Sequence, residues 1–230
     1  MRERAVLALE DGTSYWGYSF GAELDGEGEV VFATPMTGYQ EVCSDPSYRG
    51  QMVVLTYPII GNYGVCDDDR ESRLPWVAGL IVREYSPDYS NWKAEGDLHS
   101  YLASNGVPGI YGVDTRALTR HLRTHGTMRA VLVREPGSLP PEVLSIRARR
   151  VAPIDRKPVV AETSVSTPFE FAEGEAGAGP GEGLRVVVVD LGTKLNIARS
   201  LRRRGALVFV VPHSATIEDM LSLRPDGIVY

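Results

Sequence analysis

Cys43 and Cys66 are the two thiols of the chain and so its two candidate soft nucleophiles or metal ligands. A thiol that attacks a carbonyl does so as the thiolate, and it needs a neighbouring base and an accessible turn. Cys43 stands in Glu-Val-Cys-Ser-Asp and Cys66 in Gly-Val-Cys-Asp-Asp, and neither belongs to a Cys-x-x-Cys pair or to a Cys/His spacing suited to zinc. Both are expected to be free thiols serving as small apolar side chains. His121 and His125 lie four apart on a predicted helix, a spacing compatible with a metal, but no Glu follows His121 and no third ligand is evident. Arg116, Arg120 and Arg123 share that stretch, and basic groups near a helix C-terminus are favoured by the macrodipole.

Three further clusters carry weaker chemistry. Asp67, Asp68 and Asp69 are consecutive and lack the alternating spacing of a calcium loop, so a solvated turn is expected. The stretch Asp190-Leu-Gly-Thr-Lys follows a strand and precedes a helix, a place where anions bind, yet it has neither G-x-G-x-x-G nor the Gly-Lys-Ser/Thr ending of a P-loop. Residues 147–157 are basic with few aromatics, as on a solvated face. Ser47 follows Asp45-Pro46. Read locally it is a turn-capping serine in a loop that Pro46 stiffens by fixing φ.

The elements that must carry these residues fall into two patterns. Strand-like runs are expected at 4–9, 14–20, 29–32, 52–56, 77–82 and 129–133, from their β-branched content and Gly/Pro/Asp punctuation. Asp11-Gly12 reads as a two-residue hairpin turn with both residues at positive φ. Helices are expected at 97–105 and 114–125, each opened by an Asp and stopped by a Gly. From 184 the pattern changes. Leu-Arg-Val-Val-Val-Val reads as a parallel strand covered on both faces, followed by a helix at 194–204, a strand at 206–211, a helix at 217–221 and a strand from 227. That is β-α-β-α-β, the opening of a doubly wound sheet. Between the patterns, residues 173–183 (Glu-Gly-Glu-Ala-Gly-Ala-Gly-Pro-Gly-Glu-Gly) are acidic and nearly free of large apolar groups, so a linker or mobile loop is expected. The resulting division is 1–150, a linker over 151–183, and 184–230.

Composition narrows the classes. Hydrophobic residues make up 43% and charged residues 23%, an ordinary globular balance, and no apolar run approaches the roughly 20 residues of a membrane span. The first residues, Met-Arg-Glu-Arg-Ala-Val-Leu-Ala-Leu-Glu-Asp-Gly, do not read as a signal peptide, and a cytoplasmic location is expected. A net charge of −6 argues against broad nucleic-acid binding.

Several long motifs in fixed order resemble one family: LEDGTSYWG, GEVVFATPMTGYQEVCSDPSY, TYPIIGNYGV and GIYGVDTRALTRHLR, followed by VVVVDLGTKLNIARSLRRRGALVFVVP. They resemble the small, glutamine-using subunit of carbamoyl phosphate synthetase, the last of them the start of its class I amidotransferase domain. The resemblance runs from about Ala5 to Tyr230 and is weakest over 137–183. It implies an α/β protein: a layered β/β/α N-terminal domain, then the first β-α-β-α-β of a flavodoxin-like sheet. It further implies hydrolysis of L-glutamine and delivery of ammonia to a large-subunit partner. That partner uses bicarbonate, ATP and Mg to make carbamoyl phosphate for arginine and pyrimidine synthesis, so no cofactor is expected on this chain.

In that family the cysteine nucleophile occupies a Gly-x-Cys-x-Gly elbow beyond the third parallel strand, with the catalytic His and Glu later still. None of these motifs occurs in the 230 residues, so no catalytic residue is assigned, and the chain is expected to be a portion of a longer subunit that is inactive alone. The resemblance assigns one substrate contact, Ser47, to L-glutamine. It gives the Asp190 turn a structural role. Tyr85, Tyr89 and Trp92 are candidates for docking the large subunit, and core packing explains them equally well. The rival reading is a non-enzymatic binding module that keeps the scaffold without the chemistry.

Overall fold

The computed structural model describes residues 3–137, 139–174 and 176–230. Met1 and Arg2, in the stretch read above as no signal peptide, lie outside the described residues, as do Ser138 and Glu175, the latter in the acidic Gly-rich segment. The chain forms two compact units, Met1–Lys157 and Pro158–Tyr230. Both mix helices with parallel and antiparallel strands, as an α/β fold requires.

The first unit contains β1 (Arg4–Leu9), β2 (Ser14–Gly21), β3 (Gly26–Ala33), α1 (Tyr39–Ser44), β4 (Gln51–Leu55), β5 (Ile59–Ile60), β6 (Gly79–Ile81), β7 (Glu84–Tyr85), α2 (Leu98–Ser104), β8 (Pro108–Tyr111), α3 (Thr115–His125), β9 (Met128–Arg134) and α4 (Pro141–Arg150). Seven strands close into a barrel in the order β1-β2-β8-β6-β4-β3-β9, while β5 and β7 pair separately. The joins β3–β4, β4–β6 and β6–β8 are parallel and the others antiparallel.

Successive side chains of β1 point to opposite faces, and because both faces are covered it is buried at five successive positions. Ala5, Leu7 and Leu9 join Val30, Met52, Val54, Ile81, Ile110 and Leu132 in one cluster, which Leu118 and Leu122 of α3 complete. Val6 and Ala8 face the other way, against Leu144 and Ala148 of α4. A third cluster packs Tyr39 and Cys43 of α1 and Leu98 and Leu102 of α2 against Val53, Leu55 and Leu80. A barrel covered by helices on its outside leaves most of its strands apolar on both sides.

The hairpin between β1 and β2 differs from the two-residue expectation. Leu9 N–H donates to Thr13 O and Gly12 N–H to Leu9 O, which makes a three-residue turn. Gly12 has φ of 101° and Asp11 is not at positive φ. Asp11 instead turns its carboxylate onto the Thr13 N–H at 2.8 Å, so one left-handed residue suffices.

The second unit holds α5 (Val159–Thr163), β10 (Phe169–Glu170), β11 (Arg185–Asp190), α6 (Leu195–Arg203), β12 (Leu207–Pro212), α7 (Ile217–Ser222) and β13 (Gly227–Val229). Its sheet runs β10-β12-β11-β13, with β12, β11 and β13 parallel and β10 antiparallel. Val188 packs with Ala198 of α6, and Val187 and Val189 pack with Met220 of α7, so the helices cover opposite faces.

The 151–183 segment is more structured than a tether. The units divide at Lys157–Pro158, α5 and β10 fall within the segment, and Phe171 is fully buried in the second unit's core. The glycines make close approach possible: Gly177 N–H donates to Arg202 O and Gly181 N–H to Arg204 O, beneath the end of α6. A Cβ on Gly177 would lie 1.9 Å from Arg203 O.

Candidate functional site

Ser47 sits in a single 3₁₀ turn, Pro46–Tyr48, between α1 and β4. Asp45 has φ −70° and ψ 116°, the extended conformation that a following proline imposes. Its carboxylate Oδ1 accepts the Ser47 N–H at 2.9 Å, Tyr48 N–H donates to Asp45 O at 3.1 Å, and Arg49 N–H donates to Pro46 O at 3.0 Å. Asp45 and Pro46 are buried, and Ser47 between them and solvent is exposed. Its backbone is thus fixed by the Asp cap and the proline, and among the described residues its hydroxyl makes no hydrogen bond.

The turn is mounted on a buried polar framework. At the start of α1 the Tyr63 hydroxyl accepts the N–H groups of Gly38 (2.6 Å) and Tyr39 (3.1 Å), and the two tyrosine rings stack at 4.1 Å. Tyr39 donates its own hydroxyl to Gly64 O at 2.6 Å. Burial pushes both phenols up, so they stay protonated donors and acceptors. The Gln40 amide takes both backbone groups of Cys66, its Nε2 donating to Cys66 O and its Oε1 accepting Cys66 N–H, each at 2.8 Å. At the far end of α1, Ser44 Oγ accepts Glu71 N–H at 2.8 Å, Ser72 Oγ reaches Ser44 O at 2.6 Å, and Trp76 Nε1 donates to Ser72 Oγ at 2.8 Å. Sequence reasoning missed Gln40, Ser72 and Trp76, since the partners they bring together lie up to 28 positions apart with no periodic or motif signal.

The cysteines are not poised for attack. Cys43 is fully buried, and burial pushes its thiol up to about 12. Cys66 is buried and also raised, first by desolvation and then by Asp69. His121 Nε2 lies 2.7 Å from Asp11 Oδ2 and His125 Nδ1 lies 3.0 Å from His121 O, and among the described residues no group of three or more His, Cys, Asp or Glu side chains could hold a metal ion. Asp67–Asp69 is a 3₁₀ turn whose charges meet Arg70 (3.5 Å from Asp67) and Lys93 (3.9 Å from Asp68). Asp190 is buried, its Oδ1 accepting Gly192 and Thr193 N–H and its Oδ2 accepting Val165 N–H, a strand-to-helix turn held from both sides. In the basic run, Arg147 pairs with Asp25 and Arg149 donates to Glu10 O. Tyr85 is half-buried and stacks on Phe20 at 4.7 Å, whereas Trp92 is 89% exposed.

Two clefts of the first unit, of about 390 Å³ beside Phe20 and His99 and about 470 Å³ beside Gln40 and Tyr101, are lined by other residues than Ser47. What the site presents is therefore a rigidly held, exposed hydroxyl on an α/β scaffold: a donor and acceptor for a polar ligand.

Fold and site together define an α/β protein with a helix-covered barrel and a parallel-sheet unit. Residues 7–132 match the family model of the carbamoyl-phosphate synthase small chain, CPSase domain, and the chain belongs to that family. The small chain of Symbiobacterium thermophilum is 49% identical over 223 residues, 96% of this chain and 59% of the relative. That of Fusobacterium nucleatum is 47% identical over 97% of this chain and 59% of its own length. That of Aquifex aeolicus is 44% identical over 99% of this chain and 62% of its own. The chain thus spans about 59% of the length of the first two of these relatives. Among the described residues no helix is long and apolar enough to cross a membrane.

Proposed function

We propose that the chain serves in the small subunit of a glutamine-hydrolysing carbamoyl phosphate synthetase. That subunit releases ammonia from L-glutamine and passes it to a large-subunit partner, which carries ATP and Mg and makes carbamoyl phosphate. The observation that carries this reading is the relatedness to small chains along nearly all 230 residues, at 47–49% identity in the nearer relatives named above. In this reading the first unit is the layered β/β/α domain of the family and the second opens its flavodoxin-like amidotransferase sheet. The three parallel strands with helices on opposite faces are consistent with that.

Within this function Ser47 contacts glutamine. The framework around its turn supports the role, because a hydroxyl held at a fixed position by backbone bonds loses little entropy on binding. It can donate to the substrate carboxylate, a charge-assisted bond worth about 1.5–3 kcal/mol. In the full-length enzyme Ser47→Ala is expected to raise the glutamine KM by roughly 10–100-fold. Steady-state kinetics with glutamine as the varied substrate tests this, and an unchanged KM removes Ser47 from the site.

A further inference from the structure

The Ser47 turn is bracketed at both ends by the same residue. Before the turn, the backbone N–H of Trp76 donates to Cys43 O at 2.8 Å. After it, Arg49 forms an antiparallel bridge with Val77 and lays its guanidinium over the Trp76 indole, 5.5 Å from the ring centroid. Trp76 is 8% exposed and Arg49 is half-buried, so the guanidinium covers a ring that is otherwise withdrawn from water. The indole N–H goes to Ser72 Oγ. A hydroxyl has one proton, and with the indole donating to its lone pair, the Ser72 proton is left to the carbonyls of Ser44 (2.6 Å) and Leu74 (2.8 Å). Ser44 O is the end of α1, one residue before the Asp45 cap. The indole therefore fixes the turn on its N-terminal side through Ser72 and the Ser44 carbonyl, and on its C-terminal side through Arg49.

We infer that Trp76 is a positioning residue for the Ser47 hydroxyl, setting where it stands for an amino-acid ligand while itself making no contact with that ligand. The inference rests on the reading of Ser47 as a glutamine contact. Core packing alone would make Trp76 a stability residue whose loss affects everything the enzyme does. A positioning role acts through Ser47 and disappears when the hydroxyl is gone.

The test is a double-mutant cycle in the full-length enzyme assembled with its large subunit. Trp76→Leu, which removes the ring plate and the indole donor, is expected to raise the glutamine KM about ten-fold when Ser47 is present and less than about two-fold in the Ser47→Ala background. Trp76→Phe keeps a ring beneath Arg49 and is expected to restore KM to within about three-fold of the parent. The urea midpoint of the small subunit and its co-elution with the large subunit are readouts that a general folding defect would lower and that loss of Ser47 positioning alone would leave unchanged. Should Trp76→Leu not fold, Ser72→Ala keeps the buried indole and is expected to show the same dependence on Ser47.

Three outcomes overturn the inference. One is a KM effect of equal size in both backgrounds. Another is no KM effect from either Trp76→Leu or Ser72→Ala while Ser47→Ala raises KM. An unchanged KM in Ser47→Ala itself is the third, and it marks failure of the underlying reading rather than of the mounting.

Discussion

The Gln40 amide stands in for a strand partner, bonding both the N–H and the C=O of buried Cys66. Leucine has nearly the same volume and neither polar group. Gln40→Leu would strand the buried Cys66 N–H, while Cys66 O keeps the Asp69 N–H at 3.3 Å, and is expected to destabilise the first unit by about 1–3 kcal/mol. A fall in the urea midpoint measures it, and a midpoint unmoved would mean that water reaches Cys66. Cys43 gives a pH prediction at the same scale. Its thiol is raised from an ordinary 9 to about 12 by burial, first of all. The folded state holds that proton longer than the unfolded chain does. The contribution is complete below about pH 9 and is lost as pH rises toward 12. Cys43→Ser exchanges the thiol for a hydroxyl and is expected to flatten that alkaline limb in unfolding curves taken from pH 8 upward. Little of this residue-level detail was legible in the sequence. Two free thiols could be read from their spacing, but Gln40, Ser72 and Trp76 are ordinary residues until folding brings their partners to them.

Elements were legible where the chain writes its own boundaries. Asp97 caps α2 through Ser100 N–H and Asp114 caps α3 through Ala117 N–H, and both helices fall within a residue of the expected spans. The short α1 lacks a side-chain cap and starts from Gly38 at φ 91°, so its ends are supplied by Tyr63 and Ser72 from elsewhere in the chain. No capping Asp opens it in the sequence, nor α4, whose basic last turn reads as a charged surface. That basic turn has a structural use. Arg129 of β9 binds the Glu10 carboxylate with Nε at 2.8 Å and with its terminal nitrogen, donates to Arg149 O of α4, and Arg149 donates back to Glu10 O. One guanidinium thus ties the end of β1, the start of β9 and the end of α4. Burial raises the Glu10 carboxyl, but the hydrogen bonds and charge of Arg129 outweigh it and leave a net depression. A depressed carboxyl adds stability above its unfolded value that is lost as pH falls through the folded one. Arg129→Met is therefore expected to cost about 1–3 kcal/mol at neutral pH and less in acid, as thermal unfolding at pH 7 and pH 3 would show. An equal loss at both pH values would assign the effect to packing.

At the scale of the whole molecule, the change from mixed strands to a β-α-β-α-β unit was legible because period and composition switch together near residue 184. Closure of the first unit into a barrel was not, since β8 and the register of β6 come from pairings between distant segments. Nor did composition show that the Gly-rich segment packs, because glycine serves close backbone approach as well as flexibility. The same global view bears on activity. Amide hydrolysis by a thiol needs a thiolate at an accessible elbow with a base beside it. The chain has two cysteines, both buried, both with raised thiols, and neither in a Gly-x-Cys-x-Gly setting. Loss of a triad nucleophile costs on the order of 10⁶ in kcat. These 230 residues alone are accordingly expected to release no measurable ammonia from glutamine. A coupled ammonia assay on the purified chain decides it: turnover abolished by alkylating Cys66, or by Cys43→Ser, would locate a nucleophile that the buried, protonated thiols argue against.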